Sequence, residues 1–180
     1  MNSVITCAII WTIEQWTLLR EMSEVINLSS KIEKQLPAEL VNFIKVAGEV
    51  AQSQGQSLYL VGGVVRDLLL GQTNLDLDLV VEGDAIELAH QLIRINQGKI
   101  TTHPRFNTAK LQWNKWSIDL ATARSETYIK PGALPSVKPS SINSDLSRRD
   151  FTINTMAIEL NPSRYGQLID LYGGRDDLEH

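Results

Sequence analysis

Apolar positions along the chain fall into short alternating runs and longer runs with helical spacing. Leu40, Phe43, Ile44, Ala47 and Val50 recur at helical spacing from Pro37, a good helix opener, to Gln54-Gly55. Leu58-Tyr59-Leu60-Val61 reads as a short strand that runs straight into Gly62-Gly63. Val64 to Leu70 predicts a helix closed by Gly71. Leu75 to Val81 predicts a second, well-buried strand, and Asp84 an N-cap for a helix from Ala85 to Ile95. Ile100–His103, Thr108–Trp113 and Trp116–Ala121 alternate as strands, the last two joined by a tight Asn114-Lys115 turn. Lys130 to Ser141, rich in proline and paired serines, predicts a mobile loop. Ile142 to Glu159 reads as a polar stretch, S-D-L-S-R-R-D, followed by an apolar helix, F-T-I-N-T-M-A-I. Leu168–Leu171 closes the pattern as a short strand. Strands and helices interleaved around a hairpin predict an α/β fold with a mixed sheet flanked by helices.

Composition narrows the classes. The 180 residues are 43% hydrophobic and 21% charged, enough apolar material for one domain with a real core. A net charge of -4 provides no global basic field for a long nucleic-acid track, though a local basic pocket stays compatible with it. The one cysteine, Cys7, excludes an internal disulfide framework and a cysteine zinc site, and suits a reducing cytosol. Val4 to Trp11 is apolar but too short to span a bilayer and is soon interrupted by Glu14. It reads as a helical or partly disordered extension, with a weak signal peptide as the lesser alternative. Residues 1–35 are therefore expected to be an extension and residues 36–180 the domain.

Four constellations carry candidate chemistry. Gly62-Gly63 between strand and helix lets a phosphate approach the backbone, with Arg66 pointing to the same mouth. Alone, it reads more simply as a tight turn with a surface Arg66–Asp67 pair. Asp76 and Asp78, two apart on a strand, project to one side, where their repulsion suits a hard divalent cation such as Mg²⁺. An exposed edge strand is the rival, weakened by the Leu and Val residues around the pair. Asp119, near the end of a predicted strand, is either a further carboxylate of the same site or a partner for Arg124. Arg148-Arg149-Asp150, followed a helical turn later by Asn154, is a candidate phosphate clamp or a charged helix start. His90, His103 and His180 have no metal-ligand spacing. No G-x-S-x-G, Walker loop or G-x-G-x-x-G is present.

Taken in order, L-Y-L-V-G-G-V-V-R-D-L-L-L-G, D-L-D, I-D-L-A-T-A-R, E-T-Y-I-K-P-G-A-L-P, R-R-D-F-T-I-N and L-I-D-L-Y-G-G-R-D-D-L closely resemble the head domain of class II tRNA nucleotidyltransferases and bacterial poly(A) polymerases. The resemblance covers about Leu58 to Leu178. It implies a nucleotidyltransferase fold similar to the polymerase-beta superfamily and a Mg-dependent enzyme. It implies transfer of AMP or CMP from ATP or CTP to a tRNA 3′ end, as CCA or A/CC addition, with release of pyrophosphate. Poly(A) tailing and a non-catalytic nucleotide-binding head are the alternatives. Asp76 and Asp78 are then expected to hold two Mg²⁺ ions, with Asp119 as the third catalytic acid. Gly62, Gly63, Arg66, Arg148, Arg149, Asp150 and Asn154 are expected to contact the nucleotide. The implied setting is cytoplasmic, with RNA as partner and no membrane; oligomeric state stays open. Thr155 stands where the family pattern has Ala. The family's neck, body and tail segments do not appear in these residues, so weak or absent activity is expected of this stretch alone. The final Leu178-Glu179-His180 also reads as the start of an added tag.

Overall fold

The computed structural model describes residues 25–127, 130, 132 and 135–179. The Val4–Trp11 segment, Cys7, Pro131 and His180 lie outside them. The chain runs α1 (Ser29–Gln35), α2 (Ala38–Ser53), β1 (Ser57–Val61), α3 (Gly63–Leu69), β2 (Leu77–Glu82), α4 (Ala85–Asn96), β3 (Lys99–His103), β4 (Thr108–Trp113) and β5 (Trp116–Thr122). It continues through β6 (Arg124–Thr127), β7 (Ser136–Pro139), α5 (Ile142–Ser147), β8 (Met156–Glu159), β9 (Leu168–Asp170) and α6 (Gly174–Leu178).

Seven strands form one mixed sheet in the order β3-β4-β5-β2-β1-β8-β9. The β2–β5 pair is parallel and the other neighbours are antiparallel. Alternation along β2 and β5 separates the two faces of this sheet. Leu77, Leu79, Ile118 and Leu120 turn to one side and join Leu58 and Leu60 in a core sealed by α2 and α4. A smaller cluster on the opposite side, including Tyr59, Val61, Val80 and Ala157, is capped by Ile142 and Leu146 of α5. Glu82 fixes that short helix by accepting the Ile142 N–H at 2.6 Å. The rest of this face is left open.

Local signals explain the element ends. Asp84 caps α4 by accepting the Ile86 and Glu87 N–H groups at 3.0 and 3.1 Å. Gly71, at φ 73°, ends α3 in a Schellman arrangement, its N–H donating to Leu68 and that of Gln72 to Asp67. Leu28 and Ile32 pack into the main core, so α1 is built into the same body as the residues after 36.

Three expectations change. The second strand begins at Leu77, leaving Leu75 42% exposed rather than buried. The apolar run Met156-Ala157-Ile158 is not helical but is strand β8 between β1 and β9, buried on both faces. A short, fully apolar run has no periodicity to separate strand from helix, and its sheet neighbours decide. Part of the expected loop is strand β7, which pairs with β6 in a separate two-stranded ribbon.

Candidate active site

The parallel central pair places the acids. Its register sets Asp78 of β2 directly beside Asp119 of β5, and the β4–β5 hairpin sets Lys110 beside Asp119. The three therefore form one row on the open face. A cleft of about 430 Å³ lies over them, lined also by Val61, His103, Thr108 and Arg149. Asp76 sits one residue ahead of β2, exposed, its N–H held by the Asn74 side chain at 2.9 Å.

Asp78 opens on the cleft, yet desolvation by the cleft walls pushes its carboxyl above the ordinary range. The charges of Asp76 and Asp119 push it further, and Arg149 and Lys110 only partly oppose them. Asp119, by contrast, accepts from Lys110 Nζ at 3.0 Å. That hydrogen bond, with the Asp119 charge behind it, holds the Lys110 ammonium more firmly protonated than usual. The alternative partner for Asp119, Arg124, bonds Glu126 instead, at 2.9 Å.

The turn after β1 forms one wall. Gly62 has φ 75° and ψ -139°, a backbone conformation open essentially to glycine alone. A Cβ there would stand 3.4 Å from Arg149 Nη1 and 3.9 Å from Asp78 Oδ2. The bare backbone thus lies where the acid and the guanidinium converge. Gly63 opens α3 beside Arg66. The expected Arg66–Asp67 pair is present, Nε to Oδ1 at 2.8 Å, but Asp67 is buried rather than on the surface. Hydrogen bonds from Arg66 and then Asn74 hold the Asp67 carboxyl below its usual range. Arg66 Nη1 also donates to Asn154 Oδ1 at 3.1 Å, which draws the first and fourth constellations together.

Arg148 and Arg149 are organised by a residue the motif reading passed over. Asp145 is fully buried. Its Oδ1 accepts from Arg148 Nη2 at 2.7 Å and its Oδ2 from Arg149 Nη2 at 2.8 Å, with the Nε of each adding a second bond. The Arg124 N–H donates to the same carboxylate at 3.2 Å. Arg149 keeps Nη1 for the cleft, whereas Arg148 spends Nη1 on Glu126 at 3.0 Å. The i, i+3 and i, i+4 offsets from Asp145 to the two arginines were visible in the sequence and identify such a brace on a helix end.

Asp78, Asp119, Gly62 and Arg149 therefore meet at one cleft, with Asp76 within electrostatic reach. Arg66 and Asn154 form an adjoining pair, and Arg148 stands behind Arg149. Asp150 and Asn154 do not share a helix face, because Phe151 at φ 62° breaks the helix; Asp150 is exposed. Lys110 and His103 are additional cleft residues. Lys110 follows from the hairpin register once the Asn114-Lys115 turn is placed, and His103 from its position at the strand end facing the cleft.

The fold has close counterparts among known proteins. A solved structure of a CCA-adding enzyme in an apo form superposes with a TM-score of 0.82 at 43% identity, covering 88% of this chain and 38% of that one. A second, a CCA-adding enzyme in complex with ATP, gives 0.76 at 41% identity over 88% of this chain and 35% of its own. The fold is thus the one found in the matching part of CCA-adding enzymes. The A-adding tRNA nucleotidyltransferase of Halalkalibacterium halodurans is 44% identical over 155 residues, 84% of this chain and 36% of that protein. The family model for the poly A polymerase head domain matches residues 58–180, and the chain belongs to that family. It spans little more than a third of the length of these relatives.

Proposed function

We propose that the chain is the catalytic head of a template-independent RNA nucleotidyltransferase. It transfers AMP or CMP from ATP or CTP to the 3′ end of tRNA, as its relatives' names describe for them. The observation that carries this reading is the convergence of Asp78, Asp119, Gly62 and Arg149 on one cleft. In the reaction the RNA 3′-hydroxyl oxygen bonds to the α-phosphorus. The bond to the β-phosphate oxygen breaks, pyrophosphate departs, and the hydroxyl proton is released.

The residues fit Mg²⁺. Every candidate donor is a carboxylate oxygen, and the repulsion among Asp76, Asp78 and Asp119 is of the kind a divalent cation relieves. Among the described residues no three such side chains are arranged to hold a metal ion by themselves. Mg²⁺ is commonly bound through one or two carboxylates plus substrate phosphates. Asp76 and Asp78 would hold the ions, with Asp119 beside them. Bound there, Mg²⁺ supplies charge neutralisation at the phosphates and a lowered hydroxyl pKa. The chain's own groups do the rest. Arg149, fixed by Asp145, presents Nη1 to a phosphate oxygen. Gly62 leaves room for that phosphate against the backbone, and Lys110 holds the Asp119 carboxylate in place through its hydrogen bond. Among the described residues no helix is long and apolar enough to cross a membrane. The reading places the protein in the cytoplasm, where tRNA and nucleoside triphosphates meet.

The test incubates an excess of the chain with Mg²⁺, labelled ATP or CTP and tRNA lacking its 3′-terminal nucleotides. Label should pass to the RNA at a low single-turnover rate, with stoichiometric pyrophosphate. Asp78→Ala should lower the rate about 10³-fold, the scale of losing several kcal/mol of metal-assisted stabilisation. Transfer unaffected by that substitution removes the acid from the reaction.

A further inference from the structure

Beside the cleft lies a second pocket that the transfer chemistry does not use. It has a volume of about 200 Å³ and is lined by Arg105, Phe106, Asn107, Arg124, Val137 and Lys138, among others. The two are neighbours by construction: His103 and Thr108 line the cleft, and the 3-10 turn Pro104–Phe106 between them lines the pocket. On β5, Ala121 faces the cleft and Thr122 the pocket.

Phe106 is the centre of this site. Its side chain is left 38% exposed in a protein that buries most of its large apolar residues. Cations surround it: the Arg105 guanidinium lies 5.5 Å and that of Arg124 5.9 Å from the ring centroid. Lys138 approaches from the β6–β7 ribbon. Among the described residues neither Arg105 nor Lys138 has a carboxylate partner, on a chain whose net charge is -4.

Hydrogen bonds anchor one wall of the pocket to the sheet. Asn107, at φ 46°, donates to the buried Thr122 hydroxyl at 2.8 Å, and its carbonyl accepts the Thr122 N–H at 3.1 Å. Thr122 in turn donates to the Gly83 carbonyl at 2.9 Å. The Phe106 turn is thereby tied to the strands that carry the catalytic row.

An aromatic ring flanked by guanidinium groups and a lysine is the chemistry that holds an unpaired nucleobase by stacking and its phosphate by charge. The volume is below the range of about 300–1,000 Å³ usual for a whole small-molecule ligand, which suits one planar base with its backbone outside. We infer that this pocket seats the single-stranded 3′ segment of the RNA primer, with a base against Phe106 and phosphates at Arg105 and Lys138, feeding the terminal hydroxyl into the adjoining cleft. The occupant rests on the nucleotidyltransferase reading; the aromatic-basic site itself does not.

The experiment measures binding of a fluorescein-labelled single-stranded RNA to the chain by anisotropy, without nucleotide, and separately the Kd for Mg-ATP. Phe106→Leu, which removes the ring and keeps an apolar side chain on an exposed turn, should weaken RNA binding about tenfold and leave the Mg-ATP Kd unmoved. A second variant, Arg105→Gln with Lys138→Gln, should lower the slope of log Kd against log salt by about 1.4, the value for two lost phosphate contacts on a single strand. RNA affinity unchanged in Phe106→Leu overturns the proposal. So does a weakened Mg-ATP affinity with normal RNA binding, which would assign the pocket to the incoming base. Because binding is read apart from transfer, loss of transfer with Phe106-dependent RNA binding intact counts against the catalytic reading alone. Normal transfer with Phe106-independent binding counts against this pocket alone.

Discussion

On the helix-covered face of the sheet, Leu58, Leu60, Leu77, Leu79, Ile118 and Leu120 pack with α2 and α4 in one apolar core. On the other face the same central strands, β2 and β5, present Asp78 and Asp119 to an open cleft. One face gains by excluding water, at about 1.5–3 kcal/mol for each large side chain buried. The other collects like charges that Lys110 and Arg149 offset only in part and that a bound cation would relieve further. The difference shows that the scaffold is stabilised from one side so that the other can keep its acids poorly compensated. Asp145 is the exception on the open side, a buried carboxylate satisfied by two arginines and a backbone N–H.

Substitutions can separate these roles. The largest stability loss is expected for Asp145→Ala, about 3–5 kcal/mol, because it leaves the Arg148 and Arg149 guanidinium groups without their shared anion. Urea denaturation reads that loss. In folded Asp145→Asn, which keeps the shape but not the charge, the KM for nucleotide should rise more than kcat falls. An unchanged KM would show that the brace does not position Arg149. Leu60→Ala, on the covered face, should cost about 2–5 kcal/mol in the same assay while leaving nucleotide affinity intact in the folded fraction. Loss of affinity there would mean that the two faces are not independent.

Gly62→Ala should cost about 1–3 kcal/mol from the disallowed backbone alone and should also weaken Mg-nucleotide binding, measured by calorimetry. A stable, fully binding variant would exclude the bare-backbone role. The pH dependence gives the smallest effects, with opposite signs for two acids. Asp67 is held below its ordinary 3.8 by Arg66, so its stabilisation is present above 3.8 and is lost as pH falls through the lower folded value. Asp78 is raised, so its ionisation costs stability as pH climbs from 3.8 through the higher folded value. Thermal melts should therefore show Asp67→Asn less stable than the parent at pH 7 and Asp78→Asn more stable. The two differences should shrink together at pH 3.

The local signals that were legible are those that act within a few residues. Thr108–Trp113 alternates strictly enough to fix both ends of β4, and the side chain of Asp84 meets the first turn of α4 whatever surrounds it. The D-x-D and G-G pairs stand out in the sequence by their spacing alone, although Asp76 falls just ahead of β2 rather than on it. Met156-Ala157-Ile158 could not be read as a strand, since an apolar run buried on both faces carries no period. Nor could strand β7, whose residues extend only because β6 offers a free edge.

By itself, then, the sequence determined the element pattern over most of the chain and the residue types of the site, because periodicity, caps and motif spacing are local properties. Only the tertiary structure decided which acids lie abreast, since the pairing of Asp78 with Asp119 depends on the register of two strands with a helix and a hairpin between them. It also decided that Arg124 answers to Glu126 rather than Asp119, and that Asp145 is fully buried beneath the arginines its spacing already pairs it with. It turned Phe106, an unremarked residue in a turn, toward a basic pocket beside the cleft. Those outcomes are set by strand order and by burial, which no stretch of neighbouring residues contains.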